Sequence, residues 1–381
     1  MHLGFITPEY PHPRVKTAAG MGTSIKNLVV TLTRKNITVS LFIYGQDEDA
    51  IIEADGAKIH LIKNKTYPFG GWYLHRKYIN RYVNTYIDSD EIQAIEAPDW
   101  TGITAFMNFK IPLVIRFHGS DTYFCNLEGR AQKAKNKFLE KQALKIADHY
   151  IAPTTYAGTE TAKLFGIHSK RVKTIHYGLD LSKFINTTPE KFESYRLVNV
   201  GTVIRKKGVF QLAEAFNKLV ALQPKATLYF IGSDSGDIKT GSASTWEIVE
   251  ATLTPEAKKR TTYLGKVNYE DVQKHLKEAH VCVFPSLAET LGMVTIESMA
   301  LQKVVVNTNY GWAQELIDHE ENGFLIDPNA IDAYVQTIEE LFNDIPRCIL
   351  LGSEARKKIE NTFDSEEIVK KNIKFYKEVI A

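Results

Sequence analysis

Two glutamates, Glu289 and Glu297, stand eight positions apart on either side of a glycine, Gly292. They follow an apolar run, Val281-Cys282-Val283-Phe284, and a Pro285-Ser286 turn. Thr290, Leu291, Met293, Val294, Thr295 and Ile296 fill the space between them, and the small-residue run Ser298-Met299-Ala300 comes after. The pattern reads as a buried strand, a turn, and a helix that carries Glu297 in its first turns. Carboxylates at the mouth of a helix accept hydrogen bonds from sugar or ribose hydroxyls. The free amides and positive end of the helix suit a phosphate. One short segment therefore offers contacts for ribose, diphosphate and hexose together.

This segment resembles the E-x7-E motif of the retaining glycosyltransferases of family 4, which have the GT-B fold. The likeness runs in family order from the first strand to about Asp327. By that resemblance Glu289 takes donor-sugar hydroxyls and Glu297 takes ribose hydroxyls. Thr290 and the amides of Leu291, Gly292, Met293 and Val294 serve the sugar and phosphates. Ala18-Ala19-Gly20-Met21-Gly22-Thr23 resembles the family's G-G-x-G loop, with Ala19 at the first glycine. Gly20 and Gly22 let backbone approach a ligand closely, with a helix start at about Thr23.

Val198-Asn199-Val200-Gly201-Thr202-Val203-Ile204-Arg205-Lys206-Lys207-Gly208 is similar to the family segment whose Arg and Lys clamp the donor diphosphate. Gly201 and Lys207 match. Thr202 stands at the usual arginine, and Arg205 can supply that charge from further along the loop. Fixed cations on a diphosphate also stabilise a departing group as its negative charge grows. Tyr263-Leu264-Gly265-Lys266-Val267 resembles F-L-G-x-V, which implies that the backbone near Val267 reads the base. Val114-Ile115-Arg116-Phe117-His118-Gly119 resembles the family's strand-end His-Gly, which implies that His118 contacts the transferred sugar. Asp121 can cap the next element or bind an acceptor hydroxyl. Asp99 can cap the helix after Glu96-Ala97-Pro98 or face the acceptor. In Ile175-His176-Tyr177-Gly178-Leu179-Asp180, Tyr177 replaces the family's Asn, and no role is carried onto it.

The resemblance implies retention of the anomeric configuration. A front-face substitution needs positioning and leaving-group stabilisation more than a protein nucleophile. The donor is expected to be a UDP-linked hexose, used without a metal or cofactor. Asp47-Glu48-Asp49 contains D-x-D but reads as a solvated acidic loop.

The elements that must position these residues alternate. Strands are predicted near 3–7, 37–43, 58–62, 92–97, 113–118, 149–153 and 172–176, then 196–201, 227–232, 262–265, 281–285, 303–307 and 324–327. Helices are predicted near 22–35, 72–87, 131–147, 156–165, 208–222, 269–278, 293–301 and 330–343. Such βα alternation gives an α/β chain with parallel sheets whose ligands bind at strand carboxyl ends. At 381 residues the length suits two domains. The expected architecture is GT-B, two Rossmann-like parallel-sheet domains facing across a cleft. The acceptor-side domain is expected to span 1–182, rejoined by a helix at 364–381. The donor-binding domain spans 183–363, with a polar linker near 178–194 and an insertion at 233–261.

A net charge of +2 argues against nucleic acid as a partner. Residues 1–180 carry about +6 and the remainder about −4. Arg130, Lys133, Lys137, Lys141 and Lys145 recur along one helix face, which suits weak peripheral contact with anionic lipid. Tyr67, Phe69, Trp72 and Tyr73 form an aromatic patch that suits either the acceptor side or the core. Three cysteines without metal spacing, together with an N-terminus lacking a leader pattern, point to a cytoplasmic protein. The acceptor is a sugar, a lipid-linked glycan, a polysaccharide or a small molecule. Another enzyme on the same fold, such as an epimerase, and a non-catalytic nucleotide-sugar-binding subunit are the competing readings.

Overall fold

The computed structural model describes residues 1–381, which divide into two compact units. Unit 1 is Met1–Asp180 with Asp364–Ala381, and unit 2 is Leu181–Phe363.

Unit 1 contains strands β1 (His2–Thr7), β2 (Thr38–Gln46), β3 (Ala50–Ala54), β4 (Ala57–Lys63), β5 (Ala94–Pro98), β6 (Leu113–Arg116), β7 (His149–Ala152) and β8 (Val172–Thr174). Its helices are α1 (Gly20–Arg34), α2 (Gly71–Ser89), α3 (Asp121–Leu127), α4 (Ala134–Lys145) and α5 (Thr155–Phe165), and it regains one at the C-terminus. The strands form one sheet in the order β3-β4-β2-β1-β5-β6-β7-β8. Every pairing is parallel except β3 with β4. Those two form a hairpin across Asp55-Gly56, where both residues have positive φ, as a two-residue Asp-Gly turn requires.

The parallel strands other than the edge strand β8 are mostly buried on both faces, so they read as apolar runs rather than alternations. In β1, Leu3 and Phe5 join one core cluster while Ile6 joins the cluster on the opposite face. The first cluster also takes Ile25, Val29 and Leu32 of α1, and Ile368, Val369 and Tyr376 of the C-terminal helix.

Unit 2 contains β9 (Arg196–Val200), β10 (Thr227–Ile231), β11 (Thr261–Tyr263), β12 (Val281–Phe284), β13 (Val305–Thr308) and β14 (Phe324–Ile326). Its helices are α6 (Val209–Leu222), α7 (Thr245–Thr252), α8 (Pro255–Lys259), α9 (Tyr269–Glu278), α10 (Met293–Ala300), α11 (Ile331–Asn343) and α12 (Ile345–Thr362). Helix α13 (Ser365–Ile380) belongs to unit 1. The unit 2 sheet is wholly parallel, in the order β11-β10-β9-β12-β13-β14. β9 and β12 are therefore neighbours, and their carboxyl-end loops lie side by side.

The segment near 178–194 is not a free polar linker. Leu179 and Phe184 are buried. Buried Asn186 donates to the Leu301 carbonyl at 2.9 Å, and Arg356 donates to the Phe184 carbonyl. The division between the units falls within it, after Asp180. No helix is long and apolar enough to cross a membrane.

Candidate functional site

In unit 2 the site starts where β9 and β12 end. Two hydrogen bonds tie their loops together, as the amides of Leu287 and Ala288 both donate to the Lys206 carbonyl. Gly208, at φ +69, opens α6 directly against Pro285. A Cβ there would lie 1.8 Å from the Pro285 carbonyl oxygen, so no other residue fits. This close approach brings the Lys207 ammonium onto the Glu289 carboxylate as a half-buried ion pair. The Ser286 hydroxyl donates to the same Glu289 oxygen at 3.3 Å. The aliphatic stem of Lys207 passes 3.6 Å from where a Cβ on Gly201 would stand.

Helix α10 begins three residues after Thr290. Gly292 is its N-cap, at φ +92, and provides no side-chain cap. Apart from Thr295, whose amide bonds back to the Gly292 carbonyl, the amides at this helix start have no intrahelical acceptors, so the helix end presents donors and a positive dipole end. Glu297 lies in the second turn, and its Oε1 accepts from the Tyr269 hydroxyl at 2.8 Å. Burial raises the Glu297 carboxyl to about 7, against the opposing pull of that hydrogen bond. Leu264-Gly265 borders the same edge. Gly265 accepts from the Gly232 amide, and the Tyr263 hydroxyl donates to the Gly232 carbonyl. Val267 follows as a partly buried residue.

Arg205 is placed differently from Lys207. Its guanidinium makes a fork with Asp237 at 2.8 and 2.7 Å and lies over the Phe210 ring. The Asp237 carboxyl, held well below the usual range chiefly by Arg205, belongs to the 233–261 segment. That segment is built into the domain. Asp234 accepts from the amides that open α7, Trp246 stacks on Tyr263, and Val249 and Ala257 enter the core.

In unit 1, α1 starts at Gly20, three residues earlier than the sequence suggests, with Ala19 as an uncapped N-cap. Gly22 is required by packing, since a Cβ would press on the Glu9–Tyr10 backbone at 3.1 Å. Around Gly20 the corresponding space is open. His118 follows β6, and its amide donates to Asp99 Oδ1 at 2.8 Å. Asp99 therefore does not cap the turn after it. Its other carboxyl oxygen is buried without a partner. Burial and the nearby Glu140 charge raise it to about 7, against bonds from the His118 and Gly119 amides. Burial, with Arg116 adding to it, lowers the His118 imidazole to about 3, so the ring is neutral at physiological pH.

Asp121 does not cap α3 either. Ser120 does, accepting from the Tyr123 amide, while buried Glu140 accepts from the amides of Asp121 and Thr122. The Asp121 carboxylate instead takes bonds from Arg130 and Asn136. Arg130 is thereby withdrawn from the basic stripe of α4. Behind His118, Arg116 forks onto Glu96 at 2.7 and 3.0 Å and donates to Asn372 of α13 at 2.8 Å. The Tyr376 hydroxyl also donates to Glu96. Breaking such a fully buried pair by removing one partner costs about 3–5 kcal/mol, so this network anchors the returning helix beneath the His118 strand. In the acidic loop, Asp47, Glu48 and Asp49 are paired with Lys16, Arg14 and Lys65.

Three partners escaped the sequence reading: Tyr269 on Glu297, Asp237 on Arg205, and Tyr177 on His118. Each is a tertiary contact with no local periodic or spacing signal.

Two family models match adjoining stretches of the chain. The model described as Glycosyltransferase Family 4 matches residues 18–183, and Glycosyl transferases group 1 matches residues 182–361. An uncharacterized glycosyltransferase of Methanocaldococcus jannaschii is 24% identical over 99% of this chain and 98% of its own length. Among solved structures, sucrose-phosphate synthase from Thermosynechococcus elongatus superposes with a TM-score of 0.79. It is 18% identical, with 99% of this chain and 98% of that chain covered. Anabaena HepE in complex with UDP-glucose gives 0.77 at 18% identity, covering 99% of this chain and 100% of that chain. The chain belongs to the GT-B glycosyltransferases of the family 4 type. It is a nucleotide-sugar-dependent transferase.

Proposed function

We propose that this chain transfers a hexosyl unit from a UDP-linked sugar to a glycan, polysaccharide or lipid-linked acceptor, with retention and without a metal. The observation that carries the reading is the Lys207–Glu289 pair beside the uncapped start of α10. An ammonium and a row of amides suit a diphosphate, and a carboxylate in contact with that ammonium suits the hydroxyls of the attached sugar. Glu297, one turn further on, takes the ribose hydroxyls once Tyr269 yields its hydrogen bond. Uracil is favoured because HepE, of the same fold, was solved with UDP-glucose, and the backbone around Val267 reads the base.

In the proposed reaction the bond from the anomeric carbon to the diphosphate oxygen breaks. A new bond to the acceptor oxygen forms on the same face, and the acceptor proton passes to the departing phosphate. Lys207 and the first-turn amides Leu291, Gly292, Met293 and Val294, with Thr290, meet the growing charge. Arg205, spent on Asp237, stiffens the Lys207 loop. Gly20 leaves the backbone at the α1 start open to a ligand, and His118 holds a sugar hydroxyl. Of the two acceptor candidates, Asp121 is occupied as a brace and Asp99 acts on the backbone of His118.

A thermal-shift panel of UDP, GDP, ADP and CMP, free and sugar-linked, tests the donor. The melting temperature should rise most with a UDP-sugar, and chromatography should then show slow release of UDP. A larger rise with another base removes the uracil assignment. Binding without hydrolysis or transfer to any acceptor would make the chain a nucleotide-sugar-binding subunit.

Peripheral contact with an anionic bilayer completes the proposal. Phe69 is 87% exposed, and Trp72, Tyr73, Leu74 and Phe138 are exposed as well. Lys135 lies over the Trp72 ring and Lys77 over the Tyr73 ring. Exposed Lys133, Lys137, Lys141 and Lys145 continue the positive surface along α4. Aromatic rings ringed by lysines match the chemistry of a charged lipid interface. Flotation should carry the protein with phosphatidylglycerol vesicles and not with phosphatidylcholine vesicles. The Phe69→Ser, Trp72→Ser double variant should stay behind, and equal flotation of that variant would dismiss the surface.

A further inference from the structure

Tyr177 stands at the Asn position of the motif that Ile175–Asp180 resembles, and the sequence assigns it nothing. The structure puts its hydroxyl 2.8 Å from His118 Nδ1 and 3.4 Å from the Phe117 carbonyl oxygen. Its ring lies nearly parallel to the imidazole, 16° between planes and 5.6 Å between centroids. Asp99 takes the backbone amide of the same histidine. His118 is thus claimed at its amide and at Nδ1, and Nε2 is the one polar ring atom without a protein partner.

The two contacts decide where the hydrogens go. Burial raises the Tyr177 phenol far above its ordinary range, so it keeps its proton and has one hydrogen to donate. The His118 ring is neutral and has one hydrogen on one of its nitrogens. If the phenol donated to Phe117, its bond would be long, at 3.4 Å. Donation to Nδ1 gives a 2.8 Å bond of ordinary length for this pair. Nδ1 then acts as acceptor, and the imidazole hydrogen must sit on Nε2. Partners of this kind fix the tautomer and orientation of a functional histidine.

We infer that Tyr177 is a positioning residue that locks His118 in the Nε2–H tautomer, so that the imidazole donates a hydrogen bond to an oxygen of the transferred sugar. This rests on the proposed contact between His118 and the donor sugar. It adds the direction of that hydrogen bond and the residue that sets it.

Nitrogen-15 NMR of histidine-labelled protein reads the tautomer directly, and a double-mutant cycle reads its consequence. In the unsubstituted protein His118 Nδ1 should show the shift of an unprotonated ring nitrogen, and Nε2 that of a protonated one. In Tyr177→Phe the two signals should move towards a tautomer mixture. Its kcat should fall about tenfold, on the order of the loss when a hydrogen-bonded partner that orients a metal-ligating histidine is removed. KM for the donor and the melting temperature should stay nearly unchanged. Adding Tyr177→Phe to His118→Ala should cause no further loss. An unprotonated Nε2 in the unsubstituted protein, or a tautomer indifferent to Tyr177→Phe, overturns the inference. So does an impaired His118→Ala beside a Tyr177→Phe with normal kcat, or losses that simply multiply. A fully active His118→Ala instead removes the sugar contact itself, and the NMR result still decides whether Tyr177 fixes the ring.

Discussion

Replacing Lys207 with alanine is expected to lower kcat by about 10²–10³-fold, the loss that follows removal of one preorganised charge-stabilising donor, or about 2.7–4 kcal/mol of activation free energy. The substitution leaves a folded protein. Lys207 sits at the end of a loop fixed by Gly208 against Pro285 and by the Lys206 carbonyl. Neither contact involves its ammonium. The main structural cost is Glu289, which loses its ion-pair partner, while the Ser286 hydroxyl still donates to it. A half-buried carboxylate left in this way costs about 1–3 kcal/mol, less than the loss in rate represents. Lys207→Arg should recover part of the turnover, because a guanidinium retains the charge with different geometry. The check is steady-state kinetics beside a thermal melt. A normal rate with a lowered melting temperature would make Lys207 structural.

The second large effect belongs to Glu297. Glu297→Ala should weaken binding of a UDP-sugar by about 10–100-fold, since hydrogen bonds to a charged group contribute about 1.5–3 kcal/mol. Its pH dependence is more specific. A carboxylate must be ionised to accept from both ribose hydroxyls, and burial raises this one to about 7. Affinity should therefore climb as pH rises from 6 to 8 and level off above. Protein stability moves the other way. A carboxyl raised in the folded state contributes most below its unfolded value and loses that contribution as pH rises through about 7. Glu297→Gln should flatten both profiles. Calorimetric titration with an intact UDP-sugar suits the test, because its diphosphate carries no group that titrates near neutrality. Equal affinity at pH 6 and pH 8 would remove the ribose assignment.

The parts of this molecule that were legible in its sequence are those determined by burial along a strand. β9 and β12 lie within a residue or two of the apolar runs that announced them, because a strand covered on both faces has no polar alternation to blur its ends. The α10 start was legible for a related reason: Gly292 breaks the chain just before a helix, where a left-handed residue is needed. What escaped falls into two kinds. β3 is an exposed edge strand whose burial pattern alternates, and only its Asp-Gly turn marked it. α12 opens on the Asp344 cap with Pro346 in its first turn, and its buried face mixes Cys348, Leu351 and Ile359 with the small Gly352 and Ala355, which dilute its apolar period. There a Cβ on Gly352 would strike the Gln302 carbonyl at 2.2 Å. The second kind is tertiary. Lys207 meets Glu289 across 82 positions, and Tyr177 meets His118 across 59. Motif matching found the two glutamates, the lysine and the histidine singly. It could not show that the lysine already rests on one glutamate, that a tyrosine covers the other, or that Arg205 is spent on Asp237.

The claim on which the others depend is that the end of β12 and the start of α10 hold a nucleotide sugar. A crystal structure of the chain with a bound UDP-sugar tests it most directly. The account predicts the diphosphate within hydrogen-bond reach of the Lys207 ammonium and the first-turn amides of α10, with Glu297 turned from Tyr269 to the ribose. A nucleotide bound elsewhere, with Lys207 still closed on Glu289 and Tyr269 still on Glu297, would contradict it.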